Sequence, residues 1–425
     1  MSIRRRTYGA LVMAAALALV TACGSGGGSG SDAAGGATTW WHNGTQDPLK
    51  SVWERAAAAY EKAHPGAKLD VVPIQNEQFP TKVPLALQSD NPPGVYFNQG
   101  GGLLATQAGS GRVADITDRT KSWIKDLGPA AQGWASDGKQ YGVPYASHVV
   151  GFWYRKDLFA KAGITKAPAT MDELESAVTA LKAAGTVPIA LGGKDRWPDA
   201  FYYNYFAVRE CSVETLKSSV AKAKFTDQCF TRAGQDVIDL IALKPFQPGF
   251  NGTPAQQGTG SSAGMVAAGQ AAMELQGDWN PGVMQGLTAD PAYKAELGWF
   301  PFPSIAGAAG DPSVALGGGD GFSCTLKQAD ACVDLLKYLT SAEVQTDLIS
   351  SGAATIPVNP AAEAAIKDPV VKEVFTYNSK ASYVQVYFDV ALPTAAGQAL
   401  NDAVANLFAG QGDAGSVARA VNSAG

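Results

Sequence analysis

The sequence predicts an α/β protein with two domains. From residue 38 onward, strand-like runs alternate with helical runs, which is typical of parallel βαβ units. At 425 residues, the chain is longer than one hydrophobic core usually accommodates, so we expect two domains. Residues 141–158 begin and end as β structure but contain a polar break, Ser147-His148, which predicts a strand that leaves one sheet and enters another.

The individual elements follow from the spacing of apolar residues. In the first part of the chain, this spacing predicts strands over 38–41, 68–74 and 95–98 and helices over 49–63 and 79–87. A capping box, Thr170 followed by Glu173, predicts the start of a helix over 168–185. Residues 317–322 contain four glycines and are expected to form a loop between a strand and later helices.

The amino terminus is predicted to be a lipoprotein signal peptide covering residues 1–22. Three arginines precede an apolar run of 11 residues, too short to span a bilayer as a helix of about 20 residues. The run ends in Val20-Thr21-Ala22-Cys23, which resembles the bacterial lipobox, and the resemblance implies a lipid on Cys23. A plain secretory signal with a chance cysteine is the alternative.

Residues 23–37 continue as a flexible linker of mostly Gly, Ser and Ala. We therefore expect the protein outside the cytoplasm, anchored by lipid to the outer face of the bacterial cell membrane. Removal of residues 1–22 deletes three arginines and no acid, which takes the formal net charge from −5 to −8. Such a surface argues against nucleic acid as a partner.

The other four cysteines are even in number, which in an exported chain suggests disulfides. Of the three possible pairings we favour Cys211–Cys229 and Cys324–Cys332, because each pair is close in sequence. Free buried thiols are the alternative. Neither pair has metal-ligand spacing and no histidine lies nearby, so we expect no metal and no cofactor.

Residues 197–206 carry six aromatic side chains, against 9% aromatic residues in the whole chain. They follow a predicted strand and a glycine-rich turn, and Pro198 suits the first turn of a helix. Ligands of open α/β sheets bind beyond the carboxyl ends of strands. Trp197 is therefore expected at a site for a ligand with apolar faces and hydroxylated edges, such as a sugar. Alternatively, most of these rings are ordinary core.

Several phrases occur in a characteristic order, among them AYEKAHPGAKLDVV, QSDNPPGVYFNQGG, DGKQYGVPYASHVVGFWYRKDLFAKAGI and GQAAMELQGDWNP. In this order the chain resembles carbohydrate-type (family 1) extracellular solute-binding lipoproteins of bacterial ABC sugar importers. The resemblance implies a two-lobed, periplasmic-binding-protein-like fold of type II with hinge crossovers, each lobe a mostly parallel sheet flanked by helices. We expect lobe 1 to comprise residues 38–145 and 306–353, and lobe 2 to comprise residues 146–305 and 354–425.

Sugar sites combine aromatic faces with carboxylates and amides, because a charged acceptor strengthens the hydrogen bond to a hydroxyl. Residues of these types at predicted element ends give ten candidate ligand contacts. They are Asn43, Gln46, Gln99, His148, Trp197, Tyr202, Asp278, Trp279, Asp320 and Asp389. Turn, capping or surface roles are the alternatives for the three aspartates.

These residues favour a monomeric binding protein that closes around a di- or oligosaccharide and delivers it to the transmembrane permease subunits. One alternative is a receptor for a peptide or a phosphorylated polyol, for which Arg155 and Arg196 could supply charge. Another is a secreted glycosidase, but the sequence spacing identifies no pair of carboxylates about 5–10 Å apart. We therefore do not expect an enzyme.

Overall fold

A computed structural model describes residues 36–290 and 292–425. The predicted signal peptide and Cys23 lie outside the described residues. Over the described residues, helices alternate with strands, so the predicted α/β class is confirmed.

The described residues form twelve strands. They are β1 (Thr38–His42), β2 (Leu69–Pro73), β3 (Val95–Asn98), β4 (Ala135–Ser136), β5 (Lys139–Gln140), β6 (Gly142–Arg155), β7 (Val187–Ile189), β8 (Ala271–Gly277), β9 (Leu297–Phe300), β10 (Ala315–Cys324), β11 (Ile356–Pro357) and β12 (Val384–Val386).

The same residues form eighteen α-helices. They are α1 (Leu49–Ala63), α2 (Phe79–Gln88), α3 (Gly101–Gly109), α4 (Thr117–Thr120), α5 (Lys156–Lys161), α6 (Met171–Ala183), α7 (Trp197–Glu210), α8 (Val213–Lys222), α9 (Gln228–Ala242), α10 (Ser262–Ala267), α11 (Asn280–Leu287), α12 (Tyr293–Glu296), α13 (Ala329–Leu339), α14 (Ala342–Ser351), α15 (Pro369–Lys380), α16 (Phe388–Ala391), α17 (Thr394–Phe408) and α18 (Ser416–Ala424). In this part of the chain, no helix combines the length and apolar character that crossing a membrane requires.

One sheet runs through the molecule in the order β2-β1-β3-β10-β6-β8-β7, with β9 and β11 also pairing with β6 and β12 pairing with β10. The sheet is mixed. Pairs at its two ends, such as β1 with β2 and β7 with β8, are parallel. The long strands β6 and β10 are adjacent in the middle of the sheet and run antiparallel to each other. Strand β10 is also antiparallel to β3, and β6 is antiparallel to β8 and β9.

Strand β6 is continuous where the sequence predicted a polar break. It pairs with β10 as far as Val149 and with β8 from Val150 onward. Ser147 and His148 keep their places in the ladder, opposite Gly319 and Gly318. The strand changes partners close to the predicted crossover, but it does so within one sheet and without interruption of its backbone.

The glycine-rich run that we expected to be a loop lies inside β10. The glycines serve close packing here: a Cβ on Gly318 would collide with the ring of Tyr387, and one on Gly321 would collide with Val143 and Trp134. Glycine is needed here because neighbouring groups lie close to the backbone, and not because the chain turns.

In residues 36–290 and 292–425, the hydrophobic core consists of three clusters. One surrounds Trp40 and Trp53, a second surrounds Phe152 and Phe206, and a third surrounds Trp153. The lobe boundaries given above stay a prediction.

Two disulfides join Cys211 to Cys229, with Cα atoms 5.2 Å apart, and Cys324 to Cys332, with Cα atoms 5.7 Å apart. These are the pairings that proximity in sequence favoured. The capping box of Thr170 and Glu173 also forms at the start of α6.

Candidate functional site

A cleft of about 590 Å³ opens beyond the carboxyl ends of strands β1, β2 and β3. The loops that follow these strands line one side. The start of α7, the turn after β8 and helix α16 line the other side. Strands β6 and β10 contribute side chains between these two sides. The cleft therefore lies where the chain passes from one end of the sheet to the other.

Eight of the ten candidate residues line this cleft. They are Asn43, Gln46, Gln99, His148, Trp197, Trp279, Asp320 and Asp389.

Tyr202 and Asp278 are not brought to the cleft wall. Tyr202 is fully buried, and its ring packs against Phe246 and Phe408. Helix α7 is buried from Pro198 to Glu210, so its rings point in all directions and only some face the cleft. Asp278 is fully buried and contacts His148, which does line the cleft.

Asp320 presents one carboxylate oxygen to the protein and the other to the cleft. Its Oδ2 accepts a hydrogen bond from Asn43 Nδ2 at 3.1 Å. The Tyr145 hydroxyl lies 3.2 Å from the same oxygen and 3.1 Å from Asn43 Oδ1, so its proton is shared. Within the described residues, Asp320 Oδ1 has no protein hydrogen bond. Asp320 is thus held in one orientation with an acceptor free for a ligand.

His148 bridges Asp320 and Asp278. Its Nδ1 lies 2.9 Å from Asp278 Oδ1, and its Nε2 lies 3.4 Å from Asp320 Oδ2, an ion-pair distance. Asp278 also accepts from the Val149 amide at 3.1 Å and from the Thr355 hydroxyl.

The charge of His148 follows from this arrangement. Burial alone lowers the pKa of His148, but the two aspartates outweigh burial and raise the pKa to about 10. His148 is therefore an imidazolium at neutral pH, able only to donate hydrogen bonds.

Four aromatic rings form a continuous wall of the cleft. Trp279 and Trp197 have ring centroids 6.3 Å apart, Trp197 and Phe201 5.4 Å, and Phe201 and Tyr387 5.2 Å. Trp279 Nε1 and the Tyr387 hydroxyl are buried donors without a hydrogen-bond partner in the described chain. We call these four residues the aromatic wall.

Asp389 stands beside this wall on α16. Its Oδ2 accepts a hydrogen bond from Asn401 Nδ2 at 3.0 Å. Burial raises the pKa of Asp389, which the bond from Asn401 partly offsets.

Hydrogen bonds also cross the cleft between its two sides. Gln257 Nε2 donates to Gln75 Oε1 at 3.1 Å, and Gln46 Nε2 donates to the Gln256 carbonyl at 3.3 Å. Trp197 Nε1 lies 3.4 Å from Glu77 Oε1. In this conformation the two sides are therefore in direct contact.

The sequence analysis did not select Tyr145, Phe201, Glu77 or Gln257. Glu77 had a usable signal, because it follows strand β2 just as Asn43 follows β1. Phe201 lies four residues after Trp197 and so shares its helix face. Tyr145 and Gln257 had no such signal, since the tertiary arrangement alone brings them to the cleft.

The two arginines considered for an anionic ligand do not line the cleft. Arg155 is buried and bonds to Asp157 at 2.8 Å, and Arg196 pairs with Asp402. The cleft lining carries Asp195 and Glu77 in addition to the aspartates described above. Burial raises the pKa of each of these two carboxyl groups.

A large cleft between the two ends of a sheet, lined by rings and carboxylates, is typical of a site that encloses a small solute. The comparison with protein families agrees: the family described as bacterial extracellular solute-binding protein matches residues 43–346. The chain belongs to this family, a family of binding proteins for ABC transporters and not of enzymes. Membership of an extracellular family agrees with an extracytoplasmic location.

Curated relatives are distant. An uncharacterized ABC transporter extracellular-binding protein of Pyrococcus horikoshii is 23% identical over 62% of this chain and 59% of its own length. The alpha-glucosides-binding periplasmic protein of Rhizobium meliloti is 28% identical over 37% of this chain and 38% of its own length. The chain spans a little over half the length of the first curated relatives it matches.

Solved structures match over more of the chain. A structure from work on xylan utilization by the thermophilic bacterium Caldanaerobius polysaccharolyticus has a TM-score of 0.83 and 25% identity over 91% of this chain and 99% of that chain. A chitin oligosaccharide binding protein has a TM-score of 0.80 and 25% identity over 91% of this chain and 97% of that chain. The fold is therefore the two-lobed α/β fold of solute-binding proteins.

Proposed function

We propose that this protein binds a di- or oligosaccharide in the cleft and delivers it to the permease of an ABC importer. One observation carries the proposal: the free Oδ1 of Asp320 shares the cleft with the aromatic wall. A sugar needs both features, because its C–H face packs on rings while its hydroxyls need acceptors.

Further polar groups support a polyhydroxylated ligand. Asp389 adds a second carboxylate, and the unpartnered Trp279 Nε1 and Tyr387 hydroxyl add donors. Buried polar groups without partners cost about 1–3 kcal/mol each. A ligand hydroxyl would remove that cost for either donor if opening of the cleft exposed the atom, which is buried in this conformation.

More than one sugar unit is favoured by the two tryptophans of the aromatic wall. Trp197 and Trp279 are half-buried with ring centroids 6.3 Å apart and planes inclined by 58°, so each offers its own face for stacking, whereas Phe201 and Tyr387 are buried. The cleft volume of about 590 Å³ also lies inside the range of about 300–1,000 Å³ for sites that enclose sizeable ligands. The names of the Rhizobium relative and of the chitin oligosaccharide binding protein agree with such a ligand.

Closure would follow from hinge motion about the crossing strands. Support comes from β6, which changes partners between Val149 and Val150, and from the cross-cleft bonds of Gln257 and Gln46. The lipid anchor on Cys23 and the monomeric state belong to this proposal on the basis of the sequence alone.

An anionic ligand has less support. The cleft lining carries several carboxylates and Arg112, whereas Arg155 and Arg196 are engaged elsewhere. A phosphorylated polyol would meet repulsion from Asp320 and Asp389.

Isothermal titration calorimetry with neutral di- and oligosaccharides tests the proposal, with a peptide mixture and a sugar phosphate as the other arms. We expect at least one neutral saccharide to bind without being cleaved, and Asp320→Asn to weaken it strongly. Asp334→Asn, on the exposed side of α13, is the matched control and should bind as the unmodified protein does. Binding only by peptides or phosphorylated compounds would contradict the proposal, as would turnover of the saccharide.

A further inference from the structure

A groove between helices α2 and α3 continues the ligand cleft away from Asp320. Both helices follow strands, β2 and β3, and therefore begin at the edge of the sheet where the cleft opens. The cavity extends between the two helices as far as Arg112, which follows α3. The accessible side chains of its lining are polar, and they are Gln88, Thr106, Gln107, Ser110 and Arg112. We call these five residues the polar groove.

The side-chain amide of Gln107 has a fixed orientation in the polar groove. Asn98 Oδ1 accepts a hydrogen bond from the Gly100 amide at 2.8 Å, so Asn98 Nδ2 is the atom that faces Gln107. This nitrogen donates to Gln107 Oε1 at 2.7 Å, and the Tyr96 hydroxyl donates to the same oxygen at 3.1 Å. Within the described residues, Gln107 Nε2 makes no hydrogen bond. This donor is therefore free for a ligand.

The two hydroxyl groups of the polar groove already donate their protons to the protein. Thr106 Oγ1 donates to the Gly102 carbonyl at 2.8 Å, and Ser110 Oγ donates to the Gln107 carbonyl at 2.6 Å. Each hydroxyl oxygen keeps at least one lone pair that can accept a hydrogen bond. The polar groove thus offers acceptors for sugar hydroxyls beside the free donor of Gln107.

Arg112 supplies positive charge at the far end of the polar groove. Its side chain is exposed and forms no ion pair with any described residue. In the part of the chain that the structure describes, the carboxylates of the cavity lining, such as Asp320 and Asp389, all lie outside α2, α3 and residues 110–112. The other cation of this lining, His148, is held between two aspartates. An anionic group of a ligand is therefore attracted to Arg112 and repelled from the carboxylates of the cleft.

The position of Arg112 relative to Asp320 sets the size of such a ligand. Val113, next to Arg112, pairs with Thr325 in an antiparallel bridge. Thr325 follows Asp320 by five residues along an extended chain, and at about 3.3 Å per residue this separation is about 16 Å. A single sugar unit at Asp320 therefore ends short of Arg112, so a ligand that contacts both residues is an oligosaccharide.

We infer that the polar groove binds an acidic unit of the ligand, so that the ligand is an oligosaccharide with a carboxylate on one terminal unit. The inference rests on the proposed function, because neutral units would occupy the cleft at Asp320 while the acidic unit lies beside Arg112. A guanidinium donates two parallel hydrogen bonds to a carboxylate, and Gln107 Nε2 is a further donor in the same groove. The acid lies outside the cleft, where Asp320 and Asp389 would repel it.

Calorimetry with matched probes tests the inference: tetrasaccharides of glucose, xylose and N-acetylglucosamine, each in three forms. One form is neutral, one has its reducing-end unit oxidised to the aldonic acid, and one carries glucuronic acid as the other terminal unit. For a sugar whose neutral form binds, we expect one of the two acids to bind about fivefold more tightly. Binding of an acid alone counts as the same advantage. The methyl ester of that acid, which lacks the charge, should lose the advantage, and added salt should reduce it.

Two variants that remove one positive charge each locate the effect. Arg112→Gln should give the acidic and the neutral tetrasaccharide equal affinity, because the polar groove then carries no charge. Lys82→Gln changes an exposed residue of α2 that does not line the cavity, so it is the matched control and should retain the advantage. In side-chain NMR of the unmodified protein, the acid but not its ester should shift the signals of Arg112 Nε and Gln107 Nε2.

The outcomes separate the inference from the proposed function. Equal or weaker binding of both acids, or an advantage that persists in Arg112→Gln, would overturn the inference about the polar groove and leave the proposed function standing. Failure of every neutral and acidic saccharide to bind would instead overturn the proposed function and the inference with it.

Discussion

His148 Nδ1 lies 2.9 Å from Asp278 Oδ1, inside a strand that is shared by both ends of the sheet. The pair is buried, and Asp320 lies on the other side of the imidazole at 3.4 Å. A cation held between two aspartates therefore connects the turn after β8 with a carboxylate of the cleft. We expect the stability of the crossing region to depend on this pair, and the orientation of Asp320 to depend on it in addition to Asn43 and Tyr145.

Replacement of His148 by Ala should lower both stability and ligand affinity. Breaking a buried ion pair by removing one partner costs about 3–5 kcal/mol, because Asp278 would remain buried and charged. Urea denaturation measures this cost, and calorimetry measures the affinity. An unchanged unfolding free energy would show that the pair does not carry charge in the folded protein.

The same pair predicts how stability depends on pH. The pKa of His148 is about 10 in the folded protein and about 6.5 in the unfolded chain. Because the folded pKa is the higher one, the stabilisation is fully present below pH 6.5 and is lost as pH rises toward 10. Urea denaturation of the unmodified protein and of His148→Gln at pH 6, 8 and 9.5 isolates this contribution. Parallel pH profiles for the two proteins would contradict the assignment.

Two rings of helix α7 should respond in opposite ways. Trp197→Ala should weaken saccharide binding by about 1–3 kcal/mol, the scale for an aromatic that stacks on a ring, with little change in Tm. Tyr202→Ala should instead destabilise the fold by about 3–5 kcal/mol, because Tyr202 is fully buried. Calorimetry combined with thermal melting of both variants distinguishes a ligand contact from a core residue. A large loss of Tm in Trp197→Ala would show that Trp197 is a core residue.

The cross-cleft hydrogen bonds predict an effect on ligand release. Gln257→Ala removes the bonds to Gln75 and Glu77, so the closed form should open more readily and the ligand should dissociate faster. Gln78→Ala, an exposed neighbour outside these bonds, is the matched control. Stopped-flow release kinetics measure the rates, and identical rates in both variants would show that the bonds do not hold the cleft closed.

The two disulfides should contribute unequally to stability. The Cys211–Cys229 bond closes a sequence separation of 18, whereas Cys324–Cys332 closes one of 8. A longer closed loop restricts the unfolded chain more, so loss of Cys211–Cys229 should cost more, within a typical 2–4 kcal/mol. Denaturation of the two double-alanine variants compares them, and a larger loss from Cys324→Ala with Cys332→Ala would reverse the expectation.

Local patterns predicted most of the fold. Helix α1 and strand β3 begin and end where the periodicity places them, and the capping box of Thr170 sets the start of α6. The glycines of β10 were wrongly predicted to form a loop, because close packing and turns favour the same residue. The crossing strand β6 was found from its polar residues, although Ser147 and His148 do not interrupt it.

The cleft was only partly predictable. Residues that follow strands, such as Asn43 and Trp279, could be selected because strand ends of an α/β sheet share one edge. The sequence could not distinguish Tyr202, a core residue, from Trp197, a cleft residue. Helix α7 is buried on all sides, so its sequence pattern indicates no exposed face. Tyr145 reaches Asp320 only through the pairing of β6 with β10, a relation between segments 175 residues apart.

A crystal structure with a saccharide that binds in calorimetry tests the central claim most directly. We expect a sugar hydroxyl within hydrogen-bonding distance of Asp320 Oδ1, and a pyranose face stacked on Trp279 or Trp197. A saccharide bound outside this cleft, or one in the cleft that contacts neither Asp320 nor the aromatic wall, would contradict it.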